Sequence, residues 1–497
     1  MKIIDIHSHF FNLKYLPVAG IIVRYSNGKV SSNIARGIEW LLLKYTRSDF
    51  ESRAETLDIP GKKSLAAVKA FRVLGEAEVN QNMDEIFGFS PEETATAICH
   101  TATSEDLMGD NPLTKALDEF EKLKGIEYTD PTPVRKAFAS PENARLFSLF
   151  DKLKRMLQWL MNKVEALRNY LKWFFFMTNS EEDMLAYLQE RDEQPVEHFL
   201  HLMMDVDDFF NESVGSKDYR SYFDFAKEQV PNMQRLNTKY AAKLTGFVAF
   251  NPARKNGLAL VKDAIEQKGF KGVKFYPPLG YRAFDDPNYK TEIDALIRYC
   301  ADKRVPLFTH CNNEGFEAQP NGGHSGYNSN PVYWEKALEK HPDLILCLAH
   351  AGGVEGWFGT NATADHTDPG SILAADIKDA SGDQENWNHS YAAMVYKLCC
   401  TYDHVYCDAG YLDEMINSNG TFEEESRKQF KARLLKLFAA SPVFSKKIIY
   451  GSDWHMLFQE AKNNVYLSNY ISFFSDKEFD DYRDNFFYNN ARRYLQW

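Results

Sequence analysis

The chain has 497 residues, of which 44% are hydrophobic and 14% aromatic, and a formal net charge of −12. So much apolar mass excludes a disordered chain and supplies a large buried core. The acidic balance repels phosphate backbones and so excludes nucleic acid as a general partner, while a local basic pocket for a small anion stays compatible with it.

Strand-like runs recur along the chain at the spacing of β/α units. The first covers 2–9. Seven more follow at 198–205, 246–250, 272–276, 306–310, 344–350, 404–408 and 447–453. They are short and rich in Val, Ile, Leu and Phe, as parallel strands covered on both faces must be. Helical patterns fill the gaps at 256–268, 286–303, 332–340 and 391–400. In the first, Leu258, Val261 and Ile265 recur at helical spacing. In the second, Ile293, Leu296 and Ile297 do. This alternation predicts an α/β fold, a (β/α)8 TIM-type barrel.

A barrel of this kind takes about 250 residues, so a second unit is needed. It lies between strands one and two, where strand character is low and helical patterns run over 61–80, 104–124 and 141–177. The sequence Ser180-Glu-Glu-Asp183 opens a further helix with a capping-box signature. The predicted organisation is therefore a catalytic barrel of 1–14 and 195–497, with a large α-helical insertion at 15–194 beside its mouth. Seven cysteines (Cys99, Cys300, Cys311, Cys347, Cys399, Cys400 and Cys407) include no CxxC pair. They read as reduced thiols of a cytoplasmic protein, and Cys311 as a small buried residue. The opening stretch is broken by Asp5 and is no signal peptide. No run approaches the roughly 18 apolar residues of a membrane-spanning helix, so no membrane partner is expected.

Residues two apart on a strand point the same way, so His7 and His9 project together, with Asp5 below them. Two inward imidazoles at the C-terminal end of a barrel strand can hold one divalent metal. His310, His350 and Asp453 also end apolar runs, at the edge where barrel enzymes place their chemistry. Lys274 faces the barrel interior from the fourth strand, between the outward Val273 and Phe275. Asp408 ends strand seven, where it meets the site or caps a helix. The loops at 312–330 and 352–371 are long enough to cover a substrate, with Trp357 or Tyr327 as aromatic walls. His324 and His366, which sit in them, read as surface histidines. Walker A, GxSxG, GxGxxG and HExxH motifs are absent.

The order His-x-His, His, His, Asp resembles the amidohydrolase superfamily. The motifs Asp5-Ile6-His7-Ser8-His9, Gly269-Phe-Lys-Gly-Val-Lys-Phe-Tyr-Pro277, Ala349-His350-Ala-Gly-Gly353, Tyr450-Gly-Ser-Asp-Trp454 and Asn490-Ala-Arg-Arg493 are similar to its amidohydrolase 2 branch, which includes aminocarboxymuconate-semialdehyde decarboxylase. The resemblance covers 1–10 and about 195–497 and leaves out the insertion. It implies that His7, His9, His310 and Asp453 hold a divalent metal, most often zinc, which lowers the pKa of bound water to about 7. Asp453 also moves a proton from water to the leaving group. His350 polarises the substrate carbonyl, orients water or binds a second metal. Lys274 either meets a substrate carboxylate or an internal aspartate, or, once carboxylated, bridges two ions. Tyr276, Arg254 and Arg282 are candidate substrate contacts, and an arginine fork suits a carboxylated small molecule.

The function so implied is hydrolysis of an amide, ester or lactone. The alternatives are a non-oxidative decarboxylase on the same ligands, and a catalytically inactive barrel that acts as a binding protein. A homodimer is the expected assembly, because two-fold dimers are the commonest oligomers.

Overall fold

The computed structural model describes residues 1–26, 30–46, 173–174, 177, 179–191, 195–206, 225–313, 315, 325–358, 390–416, 420–457 and 465–497. The chain divides into two compact units. One takes Met1–Phe10, Leu188–Asp205 and Asp224–Trp497. The other takes Phe11–Tyr187 and Val206–Phe223.

The first unit is the barrel. Its strands are β1 (Ile4–Ser8), β2 (His198–Leu202), β3 (Leu244–Phe250), β4 (Gly272–Phe275), β5 (Leu307–Thr309), β6 (Leu346–Leu348), β7 (Val405–Asp408) and β8 (Ile448–Ile449). Each pairs in parallel with the next, in sequence order. The seam between β8 and β1 is bridged by the Ile6 N–H, which donates to the Tyr450 carbonyl at 3.3 Å. All eight expected strands are present; β3 begins two residues earlier than expected, and the others are shorter, β6 and β8 most of all. The expected helices are found at Gly257–Gln267, Lys290–Lys303, Pro331–Lys340 and Tyr391–Thr401.

Side-chain size explains the register. Ala249, Lys274, Phe308, Cys347 and Tyr406 lie in one row across β3 to β7. Phe308, Cys347 and Tyr406 pack inward with Ile6, Leu202 and Phe247. Gly272 follows from this packing: a Cβ there would lie 2.4 Å from the Phe247 ring, so only glycine lets that ring fill the interior. Val273 and Phe275 face the other way, and Phe275 packs edge-on against Trp334 of the helix Pro331–Lys340. Tyr494, near the C-terminus, packs beneath against Phe247 and Tyr406.

The described part of the second unit is mainly helical. Val18–Tyr25 and Ser32–Tyr45 form two helices, and Ser31 caps the second by accepting the Ile34 N–H. Buried Glu39 accepts the Ala19 N–H at 3.1 Å and ties one helix to the other. The capping-box helix runs over Glu181–Arg191. Ser180 Oγ accepts the Asp183 N–H at 3.2 Å and donates to the Asp183 carboxylate at 3.0 Å. The helices expected at 61–80 and 104–124 lie outside the described residues. So does that at 141–177, apart from Trp173, Phe174 and Met177, which are buried. Among the described residues, no helix is long and apolar enough to cross a membrane.

Candidate active site

The C-terminal ends of the strands carry the polar residues. His7 and His9 leave β1 on one side. Asp453 follows β8 and returns to β1, its N–H donating to the His7 carbonyl at 2.7 Å. All three side chains are buried, and one ligand atom from each lies within 4.8 Å of the others.

Hydrogen bonds assign the tautomers, because a carbonyl or a carboxylate only accepts. His9 Nδ1 lies 2.7 Å from the Leu202 carbonyl and must donate to it. His7 Nδ1 lies 3.1 Å from Asp408 Oδ1 and donates likewise. Both rings therefore carry their lone pair on Nε2. Those two atoms stand 3.4 Å (His9) and 3.7 Å (His7) from Asp453 Oδ1. That oxygen is buried and has no hydrogen-bond donor.

A buried carboxylate oxygen without a donor is costly unless another positive group satisfies it. Ligands at 2.0–2.2 Å from a tetrahedral ion lie roughly 3.3–3.6 Å apart; the His9 separation of 3.4 Å falls in that range and the His7 separation of 3.7 Å lies just beyond it. The donor set, two imidazoles and one carboxylate, fits a divalent metal.

Electrostatics point the same way. Burial would raise the Asp453 carboxyl, but positive charge on the His7 and His9 rings, when they are protonated, outweighs it and holds the group well below the usual carboxylate range; with the rings neutral, a cation between them would take that part. Burial lowers His9 and pushes His350 down to about 4. Both rings are thus neutral near pH 7, as metal or hydrogen-bond acceptors must be.

His310 is not in the three-residue group. Its Nδ1 lies 3.0 Å from His350 Nε2, and His350 Nδ1 lies 2.8 Å from the Gly410 carbonyl. Both nitrogens of His350 are thus engaged inside the protein. His350 and Asp453 have left-handed backbone angles, φ 59° and 49°, and Ala351 has φ 46°. Such strain in non-glycine residues, on the order of 1–3 kcal/mol each, concentrates at functional sites. Here it turns each chain sharply where β6 and β8 end.

Lys274 lies in the interior row, 1% exposed. Its Nζ sits 4.6 Å from the Phe308 ring centroid and 5.7 Å from that of Tyr276. Burial lowers its pKa to about 8, against the pull of the Asp453 and Asp408 charges. Tyr276 stands edge-on to His310, with ring centroids 4.9 Å apart. Arg254 makes a two-pronged ion pair with buried Asp205, at 2.6 and 2.7 Å, and lies over Phe225. Arg282 bonds to the Asp285 carbonyl and lies over Tyr333. Both guanidinium groups are therefore used within the protein.

Trp357 is not an aromatic wall of the site. It is fully buried, donates to the Ala351 carbonyl at 2.9 Å, and packs against Phe430 and Phe444. Tyr327 is half-buried in a short turn at Ser325–Ser329. His324 and His366 lie outside the described residues. Cys311 is buried, as its small size predicted.

Sequence reasoning gave no definite role to Asp408 and none to Ser452. Asp408 ends an apolar strand as His310 and His350 do, and that placement was the available signal.

The model of the amidohydrolase family matches residues 225–497, more than half of the chain. This protein belongs to the amidohydrolase family. It is an enzyme of the amidohydrolase superfamily, in the branch its motifs resemble. Solved structures similar to it include 5-carboxyvanillate decarboxylase from Novosphingobium aromaticivorans DSM 12444, complexed with manganese and 4-hydroxy-3-methoxy-5-nitrobenzoic acid. That protein is 12% identical, with 77% of this chain and 92% of that one covered and a TM-score of 0.39. An amidohydrolase from Burkholderia multivorans with bound zinc is 12% identical, covering 63% and 87%, with a TM-score of 0.39. A 2,6-dihydroxybenzoate decarboxylase from Rhizobium is 12% identical, covering 63% and 87%, with a TM-score of 0.36. No curated protein matches this amidohydrolase.

Proposed function

We propose that this amidohydrolase is a metal-dependent hydrolase that cleaves an amide, ester or lactone bond of a small carboxylated substrate. One observation carries the reading: the Nε2 atoms of His7 and His9 converge on Asp453 Oδ1, a buried oxygen with no hydrogen-bond donor. His7, His9 and Asp453 would hold the ion, with His310 contributing from the end of β5. Zinc suits these donors best. When bound, the ion supplies Lewis-acid polarisation of a carbonyl and makes water acidic near neutral pH.

The remaining work falls to the chain. Asp453, kept ionised, accepts a proton from the attacking water and returns it to the leaving group. His350 holds the His310 ring rather than a second ion, because both its nitrogens are engaged. Lys274, a buried cation close to the Asp453 charge, faces the substrate carboxylate, and the ring of Tyr276 walls the pocket beside His310. Arg254 and Arg282 shape the surrounding loops through their internal bonds.

Lys274 also favours a second reading. A cation that grips a substrate carboxylate beside a metal equally serves loss of carbon dioxide. The deciding experiment assays metal-loaded protein on carboxylated amides, esters, lactones and aromatic acids, with trapping of carbon dioxide. Hydrolysis predicts a new acid and no carbon dioxide. Carbon dioxide released in step with turnover overturns hydrolysis in favour of decarboxylation.

A further inference from the structure

We propose that the turn Asp408–Gly410 at the end of β7 is a positioning element that holds His7, His350 and His310 in a single tautomer, with Nδ1 protonated and the lone pair on Nε2.

Asp408 is fully buried, and its Oδ1 takes two donors: His7 Nδ1 at 3.1 Å and the Gly410 N–H at 2.6 Å. A carboxylate only accepts, so the shared proton sits on His7 Nδ1. Two residues on, the Gly410 carbonyl faces His350 Nδ1 at 2.8 Å. A carbonyl also only accepts, so His350 is protonated there. A neutral imidazole protonated at Nδ1 accepts at Nε2. His310 Nδ1, 3.0 Å from that nitrogen, must then donate to it. One turn thus sets three rings that leave three strands, β1, β5 and β6.

The turn needs glycine at its apex. A Cβ on Gly410 would lie 2.5 Å from Asp408 Oδ1 and 2.7 Å from His7 Nδ1. Any larger residue would push the carboxylate from the ring it holds. The second oxygen of Asp408 is buried and has no hydrogen-bond donor. The carboxylate therefore takes its hydrogen bonds through one oxygen only, the one that faces His7. A carboxylate behind a ligating imidazole fixes the ring and raises its basicity, and losing such a partner costs about 10–100-fold in metal affinity. That consequence rests on the reading of His7 and His310 as metal ligands. The tautomers themselves do not.

The test separates the two. Metal-free wild-type protein, labelled with 15N-histidine, is examined by NMR at pH 8, where an ordinary imidazole is neutral. Signals are assigned by single-histidine substitution. The expected result is protonation at Nδ1 for His7, His310 and His350. Protonation of any of the three at Nε2 overturns the proposal, whether or not the protein binds metal. Asp408→Asn is then titrated with Zn2+ against a chromogenic chelator. The expected result is affinity about 10–100-fold below wild type, with an unchanged circular dichroism spectrum. Affinity within about twofold of wild type removes the positioning role of Asp408. Should Asp408→Asn fail to fold, the wild-type spectrum alone decides. Wild-type protein that takes up no Zn2+ overturns the metal reading and leaves the tautomer result to stand or fall by itself.

Discussion

Asp5 and Ser452 lock the seam of the barrel. One carboxylate oxygen of Asp5 accepts the Ser452 N–H at 3.0 Å, and the other accepts the Ser452 hydroxyl. The first oxygen also accepts the His7 N–H at 3.0 Å, and Ser452 Oγ accepts the Trp454 N–H at 3.0 Å. A single buried side chain thus ties the strand bearing His7 to the turn bearing Asp453.

Asp5→Ala is expected to lose more than a packing contact. It leaves two buried N–H groups without an acceptor, and the Ser452 hydroxyl with only the His7 carbonyl at 3.4 Å, at about 1–3 kcal/mol for each buried group left unsatisfied. Urea unfolding should show a loss of about 3 kcal/mol or more. A variant within about 0.5 kcal/mol of wild type, the range of ordinary surface substitutions, would mean that the seam is held by other contacts.

Asp453→Asn should abolish turnover while the fold persists. The change removes the charge and one acceptor oxygen from a site built around both. Rates on any identified substrate, read beside a circular dichroism spectrum, check this. Wild-type activity would take Asp453 out of the mechanism.

Lys274→Met tests substrate charge. Losing a charge-assisted contact of about 1.5–3 kcal/mol should raise KM for a carboxylated substrate by roughly 10–100-fold. An uncharged analogue should bind as before. Metal content is measured on the same sample. An unchanged content fits a substrate-facing amine, whereas loss of one of two ions would identify a carboxylated, bridging lysine.

Trp357→Ala should act on stability alone. The ring is buried against Phe430 and Phe444, and removing such a side chain costs about 3–5 kcal/mol. Urea unfolding should show that loss, with KM unchanged at temperatures where the variant stays folded. A selective rise in KM would return Trp357 to the substrate pocket.

Much of this was legible in the sequence, for physical reasons. Runs such as 246–250, within the strand Leu244–Phe250, show as strands because both faces of a barrel strand are buried and need apolar residues throughout. The alternation of His7 and His9 shows which way they face. The ends of strands were less legible. Apolar runs continue to His350 and Asp453, yet β6 stops at Leu348 and β8 at Ile449, and His350 and Asp453 both take left-handed backbone angles. Partnerships across the fold were hidden altogether. Arg254 and Asp205 are 49 positions apart, and His7 and Asp408 are 401 apart, so nothing local signals that one engages the other. Trp357 read as a loop residue because glycines surround it, and only the helix layer shows what covers it.

The central claim is that His7, His9 and Asp453 hold a divalent ion. Elemental analysis of purified protein under metal-replete conditions tests it most directly, beside the double variant His7→Ala/His9→Ala. The expected result is a stoichiometric divalent ion, zinc foremost, in wild type and its loss in the folded variant. Wild-type protein that holds no divalent metal, or a variant that holds as much as wild type, would contradict the account.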